Sequence, residues 1–306
     1  MCAGQSPHPS HPAGSTCSLA RVAVGIDGYP EGGDAAVLGA MVARATGAEL
    51  LLVAVHPDPL VVMPPELGWT ALHKQAEDLL HETRDSVAPG ARIVVETDWS
   101  VPRALGRVVA REHRDLLVLG SSRDAPAGQV RIGTRTRQLL SHCACALAVA
   151  PRGFSAGEPR LRRIGVGYDG GREARAALTL AASIAIAADA QVHVSAIVDD
   201  RIPDVGWSKS GRDSIIAMWD QVLAPAVEAL SADAHAALAA TGAEGRIGVC
   251  RGDPAQVLRE LCDDVDLLVI GSRRWGAVAR VLLGSTGEAL MRDASCPVLV
   301  VPTSAA

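Results

Sequence analysis

Lysine is nearly missing from this 306-residue chain, occurring only as Lys74 and Lys209. Arginine carries the rest of the positive charge, which reads as the coding bias of a GC-rich genome. Aromatic residues make up only 3%, so Ala, Val and Leu must build the core. A basic excess is also missing: Lys and Arg total 29 against 34 Asp and Glu, a formal net charge of -5. That excludes a general nucleic-acid binder, which needs a basic face to displace counterions. It leaves room for a small anion in one local pocket. No apolar run reaches the ~18 residues of a membrane helix. The nearest, Ala176 to Ala190, is short, rich in small residues and interrupted by Asp189, so it predicts a buried helix and no membrane partner. Residues 1–18 lack the charged start and apolar stretch of a secretory signal and predict a disordered tail. With no export signal, seven cysteines point to thiols in a reducing cytoplasm rather than a disulfide framework. No HExxH, paired-carboxylate or Ser/His/Asp signature stands out, so the chain is not predicted to be an enzyme, or at most a slow ATPase.

What the chain does contain is a duplication. Arg21 to Gly28 reads RVAVGIDG and Arg163 to Gly170 reads RIGVGYDG, an offset of 142. Asp115 to Pro151 then matches Asp266 to Pro302 without a gap, at an offset of 151. About nine extra residues therefore sit inside the second copy, and the polar segment Ile202 to Arg212 is the expected place. Each copy alternates strands and helices. In the first, strands are expected at Val22–Ile26, Leu50–Val55, Ile93–Glu96, Leu116–Leu119 and Leu147–Ala150, with helices at Asp34–Thr46 and Leu72–Ser86. Runs such as DLLVLG are apolar on both faces, as in parallel strands buried between helices. The expected architecture is two tandem doubly wound α/β domains with right-handed crossovers. Boundaries are placed at 19–151 for the first domain, 152–160 for a linker and 161–303 for the second.

Ligands of open parallel sheets bind beyond the C-terminal strand ends. After the first strand of each copy stand Asp27-Gly28 and Asp169-Gly170. Such an acid can accept from a purine amino group or a hydroxyl, or can cap a helix; chemistry alone leaves both open. After the fourth strand come glycine loops, Gly120 to Thr134 and Gly271 to Ser285. Glycines allow close backbone approach to a phosphate, and a following helix N-terminus adds partial positive charge. An ordinary turn followed by a Thr or Ser cap fits as well.

These segments carry a resemblance. VGIDG and VGYDG, RGDPAQVL (Arg251 to Leu258), DLLVIGSRR and GSTGEALMRDASCPVLVVP look like the universal stress protein family in its tandem two-domain form. The resemblance implies a five-stranded parallel sheet in the order 3-2-1-4-5 and pairing of the domains through their last strands. It implies adenine-nucleotide binding, ATP with Mg as a companion ion, and a role in stress or dormancy signalling through an unknown protein partner. A homodimer of the whole chain is a further family property. Carried over position by position, the adenine end is Asp27 and Val55, then Asp169 and Ile197. The phosphate end is Gly120, Gly133 and Thr134, then Gly271, Gly284 and Ser285. The second glycine of the family's G-x-x-G is replaced by Arg123 in one copy and Arg274 in the other. A left-handed backbone there would strain arginine by roughly 1 kcal/mol or more, whereas a guanidinium is also a good phosphate partner. The first copy departs further, with Asp124 and Pro126 in its loop and Ser100 where the second has Gly252. The second copy is therefore the favoured site. The alternative is a nucleotide-independent interaction module whose phosphate loops are closed by Arg123 and Arg274.

Other patterns carry less. Gly165, Gly167 and Gly170 form a G-x-G-x-x-G that begins inside a strand, where a dinucleotide fingerprint does not belong. Arg251-Gly252-Asp253 is a turn before Pro254. Cys143 and Cys145 read as core thiols rather than metal ligands. His8 and His11 lie in the tail.

Overall fold

The computed structural model describes residues 19–57, 65–140, 143, 145–201, 209–272 and 283–302. The first half runs β1 (Arg21–Ile26), α1 (Pro30–Thr46), β2 (Glu49–His56), α2 (Pro65–Val87), β3 (Arg92–Thr97), α3 (Val101–Arg111), β4 (Leu116–Gly120), α4 (Thr134–Leu140) and β5 (Ala146–Ala150). The second repeats it as β6 (Arg163–Tyr168), α5 (Arg172–Ala188), β7 (Gln191–Val198), α6 (Lys209–Thr241), β8 (Gly245–Arg251), α7 (Pro254–Cys262), β9 (Leu267–Gly271), α8 (Ser285–Asp293) and β10 (Val298–Val301). All ten strands form one sheet, ordered β3-β2-β1-β4-β5-β10-β9-β6-β7-β8. Each half therefore has the expected 3-2-1-4-5 order. Pairing is parallel within each half, and β5 and β10 join antiparallel.

Strand alternation divides the core. Val22, Val24, Leu116 and Val118 face α1, α2, α5 and α6, whereas Ala23, Leu51, Val53 and Leu117 face α3, α4, α7 and α8. The Ala176 to Ala190 run is largely α5, with Ala177, Leu178, Ala181 and Ile184 buried. Among the described residues no helix is long and apolar enough to cross a membrane. Helix α1 starts four residues before the expected Asp34, because Pro30 sits well in a first helical turn.

The extra residues of the second copy are expected at Ile202 to Arg212, a segment only partly described. Residues 202–208 lie outside the described part. The last residues of that segment, from Lys209, begin α6, which has 33 residues against 23 in α2 and contains Pro225. Gly165 and Gly167 also find their reason: a Cβ at either would press within 3.0 Å of Val265 or Leu258, where the α7 side packs on β6.

The segment after β5 is docked rather than loose. Asp34, 1% exposed inside α1, accepts from Gly153 N (2.7 Å), Ser155 N (2.8 Å) and Ser155 Oγ (2.7 Å). These bonds hold the short turn Phe154–Ala156 against α1. Asp34→Ala removes the acceptor for all three donors and is expected to cost about 1–3 kcal/mol. Ser155→Ala removes only the hydroxyl bond and should cost less than about 1 kcal/mol. Urea unfolding of both variants checks this; equal losses would refute the clamp.

Candidate functional site

Strand order reverses between β1 and β4 and between β6 and β9, so a crevice opens at the carboxyl ends of each pair. The turn out of β1 needs Gly28 at φ 76°, and the turn out of β6 needs Gly170 at φ 78°. Before each glycine the aspartate closes a local turn: Asp27 Oδ1 accepts from Tyr29 N at 3.2 Å, and Asp169 Oδ1 accepts from Gly171 N at 2.9 Å. One oxygen thus serves the turn. The other oxygen of each carboxylate has no partner among the described residues, and both aspartates line their crevice.

The first crevice holds about 560 Å³ and gathers Asp27, Val55, Gly120, Arg123, Gly133 and Thr134. The second holds about 620 Å³ and gathers Asp169, Ile197, Gly271 and Gly284. Ser285 is the first residue of α8 behind it. Arg274 lies outside the described residues. Gly120 and Gly271 have a packing reason of their own. A Cβ on Gly120 would lie 2.1 Å from Glu31 O, and one on Gly271 would lie 2.6 Å from the Glu173 carbonyl. The first turns of α1 and α5 therefore demand glycine there.

The loop from Gly120 to Thr134 is bonded to itself and to its surroundings. Ser122 N donates to Arg131 O, Ala125 N to Ser122 O, and Gln129 N to Pro126 O. Arg131 N donates to Ser121 Oγ at 2.6 Å. Gly128 N donates to Arg152 O, Val130 N to Ala294 O (2.8 Å) and Ile132 N to Met291 O (3.0 Å). The last two carbonyls belong to the end of α8 and the residue after it. Arg123 keeps an ordinary backbone, outside the left-handed region, so the strain considered for it is not present. Its guanidinium lies 4.1 Å over the Tyr29 ring, a cation–π contact.

The first crevice carries charge of both signs, with Arg123 and Arg135 beside Asp27, Glu31 and Asp98. Desolvation at the base of the crevice holds the Asp27 carboxyl above its usual range; the Tyr29 N–H opposes this, and Glu31's charge adds to it. Glu31 is buried, with Oε1 3.3 Å from Arg152 Nε and Oε2 without a hydrogen-bond partner. Asp98 accepts from Arg103 Nε (3.1 Å) and Arg107 Nη1 (2.6 Å), and the Arg103 bonds are the main reason its carboxyl falls well below the usual range. Ser122 Oγ donates to Asp124 and lowers that carboxyl too. In the second crevice, Asp199 is lowered by its Arg201 ion pair. Tyr168, under the floor of that crevice, donates to Asp233 at 2.6 Å, and Arg175 donates to the same carboxylate. Burial, then that bond, pushes the Tyr168 phenol up to about 12. Cys143 and Cys145 are buried with Sγ atoms 3.2 Å apart. Among the described residues, no group of three or more His, Cys, Asp or Glu could hold a metal.

Several crevice residues escape a motif-based reading: Glu31, Trp99, Asp98 and Arg135 in the first, Asp199 and Arg201 in the second. A signal existed for one of them. Glu31 and Glu173 are related by the same offset of 142 that relates the two aspartates. Asp98 and Trp99 have no such mark: Gly252 stands at the place of Asp98, and Trp99 has no counterpart, because Ser100 and Asp253 are the helix caps that follow.

Comparison with known proteins follows the two halves. The model of the universal stress protein family matches residues 19–151 and again 160–302. Among solved structures, a protein from Pseudomonas aeruginosa UCBPP-PA14 described as a universal stress protein is 18% identical, with TM-score 0.61, 94% of this chain and 95% of that one covered. A universal stress protein from Archaeoglobus fulgidus DSM 4304 is 16% identical, with TM-score 0.63 and coverage of 91% and 97%. A functionally unknown protein from Pseudomonas aeruginosa PAO1 is 17% identical, with TM-score 0.61 and 94% of each chain covered. At these identities the likeness speaks for the fold.

The Asp27 shift makes a prediction. A carboxyl whose folded pKa is raised weakens the folded state once it ionises. That penalty is absent below the unfolded value of about 3.9 and complete above the folded one. Asp27→Asn keeps the acceptor for Tyr29 N and removes the charge. It should raise the thermal midpoint at pH 7 relative to the parent, with the gain shrinking to nothing toward pH 3.5. A parent more stable than the variant at pH 7 would contradict it.

Proposed function

Because the chain belongs to the universal stress protein family, we propose that it is a cytoplasmic stress-response protein that senses an adenine nucleotide in its second crevice. The observation that carries this reading is the start of α8. Gly284 caps that nine-residue helix without any side-chain bond, and it lines the same crevice as Asp169, Ile197 and Gly271. An uncapped helix N-terminus leaves backbone N–H groups and partial positive charge for a phosphate. Asp169, with one oxygen unpartnered among the described residues, is suited to accept from the adenine amino group or a ribose hydroxyl. With no protein metal cluster among the described residues, a Mg ion would ride on the phosphates. The nucleotide acts by binding one conformation better than another, shifting the population seen by a protein partner. No catalytic step is assigned.

A second reading, a nucleotide-independent interaction module, is favoured by one observation in the first domain. The backbone donors of its glycine loop are largely engaged, and Arg123 is stacked on Tyr29. On that reading, the double variant Arg123→Gly with Arg274→Gly gains ATP affinity that the parent lacks.

Saturation binding of ATP to the purified chain tests the first reading. Asp169→Ala should weaken binding by about tenfold or more, equivalent to ~1.4 kcal/mol. Ser285→Ala should weaken it by a few-fold. No binding at millimolar ATP would exclude nucleotide sensing and favour the second reading.

A further inference from the structure

At the carboxyl ends of β2 and β3, four side chains meet on the face of the sheet that α2 covers. His56 closes β2 and is paired in register with Thr97, the last residue of β3. Helix α2 supplies Trp69 and His73, one turn apart. His56 is only 5% exposed. In the second half Val198 and Arg251 hold the same register positions, so the group belongs to the first domain alone. An imidazole buried where the duplicate carries valine must be satisfied by its surroundings.

His56 Nδ1 lies 3.1 Å from Pro57 O. A carbonyl only accepts, so Nδ1 carries the proton and Nε2 presents its single lone pair. Two groups converge on that lone pair, His73 Nδ1 at 3.3 Å and Thr97 Oγ1 at 3.0 Å. One lone pair serves one donor well, so a hydrogen bond to either group leaves the other contact poorly used. A cation uses all three atoms at once, because both ring nitrogens and the hydroxyl oxygen can turn a lone pair toward it. The spacing agrees: two nitrogens each ~2.0–2.1 Å from a tetrahedral ion lie about 3.3 Å apart. A ring N–H given to a backbone carbonyl is also what fixes the tautomer and orientation of a metal-binding imidazole. Trp69 stacks on His73 with ring centroids 4.7 Å apart and meets His56 edge-on at 6.0 Å, so it shields the pair from one side. Lys74, next to His73 in the chain, is held by Asp78 at 2.8 Å, which offsets its charge.

We propose that His56 Nε2, His73 Nδ1 and Thr97 Oγ1 bind a divalent transition-metal ion of the class that imidazole prefers, Zn, Ni or Cu, with water completing the shell. Two histidines and a hydroxyl fall short of a closed structural site, so the ion is exchangeable. It ties the first half of α2 to the ends of β2 and β3, next to Pro57, which lines the first crevice. The proposal does not depend on the nucleotide reading. Mg, which takes oxygen ligands, is not matched by two imidazoles.

The test titrates Ni(II) and Zn(II) into the full chain without nucleotide, read by calorimetry and by tryptophan fluorescence. One ion per chain is expected, and millimolar Mg should not compete. Open-shell Ni(II) should quench the emission of Trp69, whereas closed-shell Zn(II) binds without that quenching. His73→Ala should weaken both ions about tenfold or more, and Thr97→Val about threefold. His56→Val, which copies Val198, should match His73→Ala; the half-buried His73 carries the test if that variant fails to fold. Trp69→Phe should keep the affinity within about threefold and lose most of the Ni(II) quenching. Replacing His8 and His11 with alanine should change nothing. No saturable binding of either ion, or an affinity unmoved by His73→Ala, overturns the proposal. Binding lost with His8 and His11, or quenching undiminished by Trp69→Phe, also overturns it, because the ion then sits elsewhere.

Discussion

Strands β5 and β10 pair antiparallel through Val149–Val298, Ala148–Leu299 and Leu147–Val300, every one of them buried. This seam turns two five-stranded sheets into a single ten-stranded one. It also occupies the last-strand edge of each domain, so the free edges are β3 and β8 at the far ends. A dimer of the whole chain therefore needs a surface other than the one its own domains use. The seam has a second effect. It carries the end of α8 onto the glycine loop of the first domain, where Ala294 O and Met291 O receive Val130 and Ile132. The Arg137–Glu288 pair, 3.8 Å apart, adds a link between α4 and α8. Each of these helices begins at one of the two crevices, so the helix-start ends of the crevices are linked across the seam.

The two copies preserve what the strand–turn–helix corner requires and vary what the ligand would see. Asp27 and Asp169 close the same turn; Gly28 and Gly170 take the same left-handed backbone; Gly120 and Gly271 admit the same helix turn. Around that frame Asp98 is exchanged for Gly252 and Ile26 for Tyr168, and Trp99 has no counterpart. The last exchange brings a phenol into the core. It is accommodated because α6 supplies Asp233 and α5 supplies Arg175, so the buried hydroxyl is satisfied.

Most of the fold was legible in the sequence because its signals are local or repeated. Apolar runs marked the parallel strands, and the shared offsets marked the duplication. Strand ends slipped by a residue or so, the start of α1 by four residues and that of α2 by seven, because helix starts depend on turns whose geometry periodicity does not encode. The polar segment expected to hold the extra length runs into α6, whose 33 residues exceed the 23 of α2. The crevice residues with a counterpart in the other copy could be found by register. Trp99 and Asp98 could not, since only the fold brings the end of β3 beside the ends of β1 and β4. The loop bonds to Ala294 and Met291 span more than 150 residues and cross the seam, so no spacing announces them.

A glycine motif reports a ligand only where the backbone it frees has no other use. Gly120 fails that criterion, because Glu31 O would collide with any side chain there whether or not a phosphate ever binds. Gly271 fails it for the same reason against Glu173. The repeated spacing of these glycines is therefore evidence for helix packing first. A second criterion is the fate of the N–H groups further along. In the first domain they are absorbed by Arg131, Arg152 and the end of α8. In the second, the start of α8 at Gly284 and Ser285 has no side-chain cap. The last glycine of the motif, at the start of α8, is therefore better placed than the first to leave a backbone donor free.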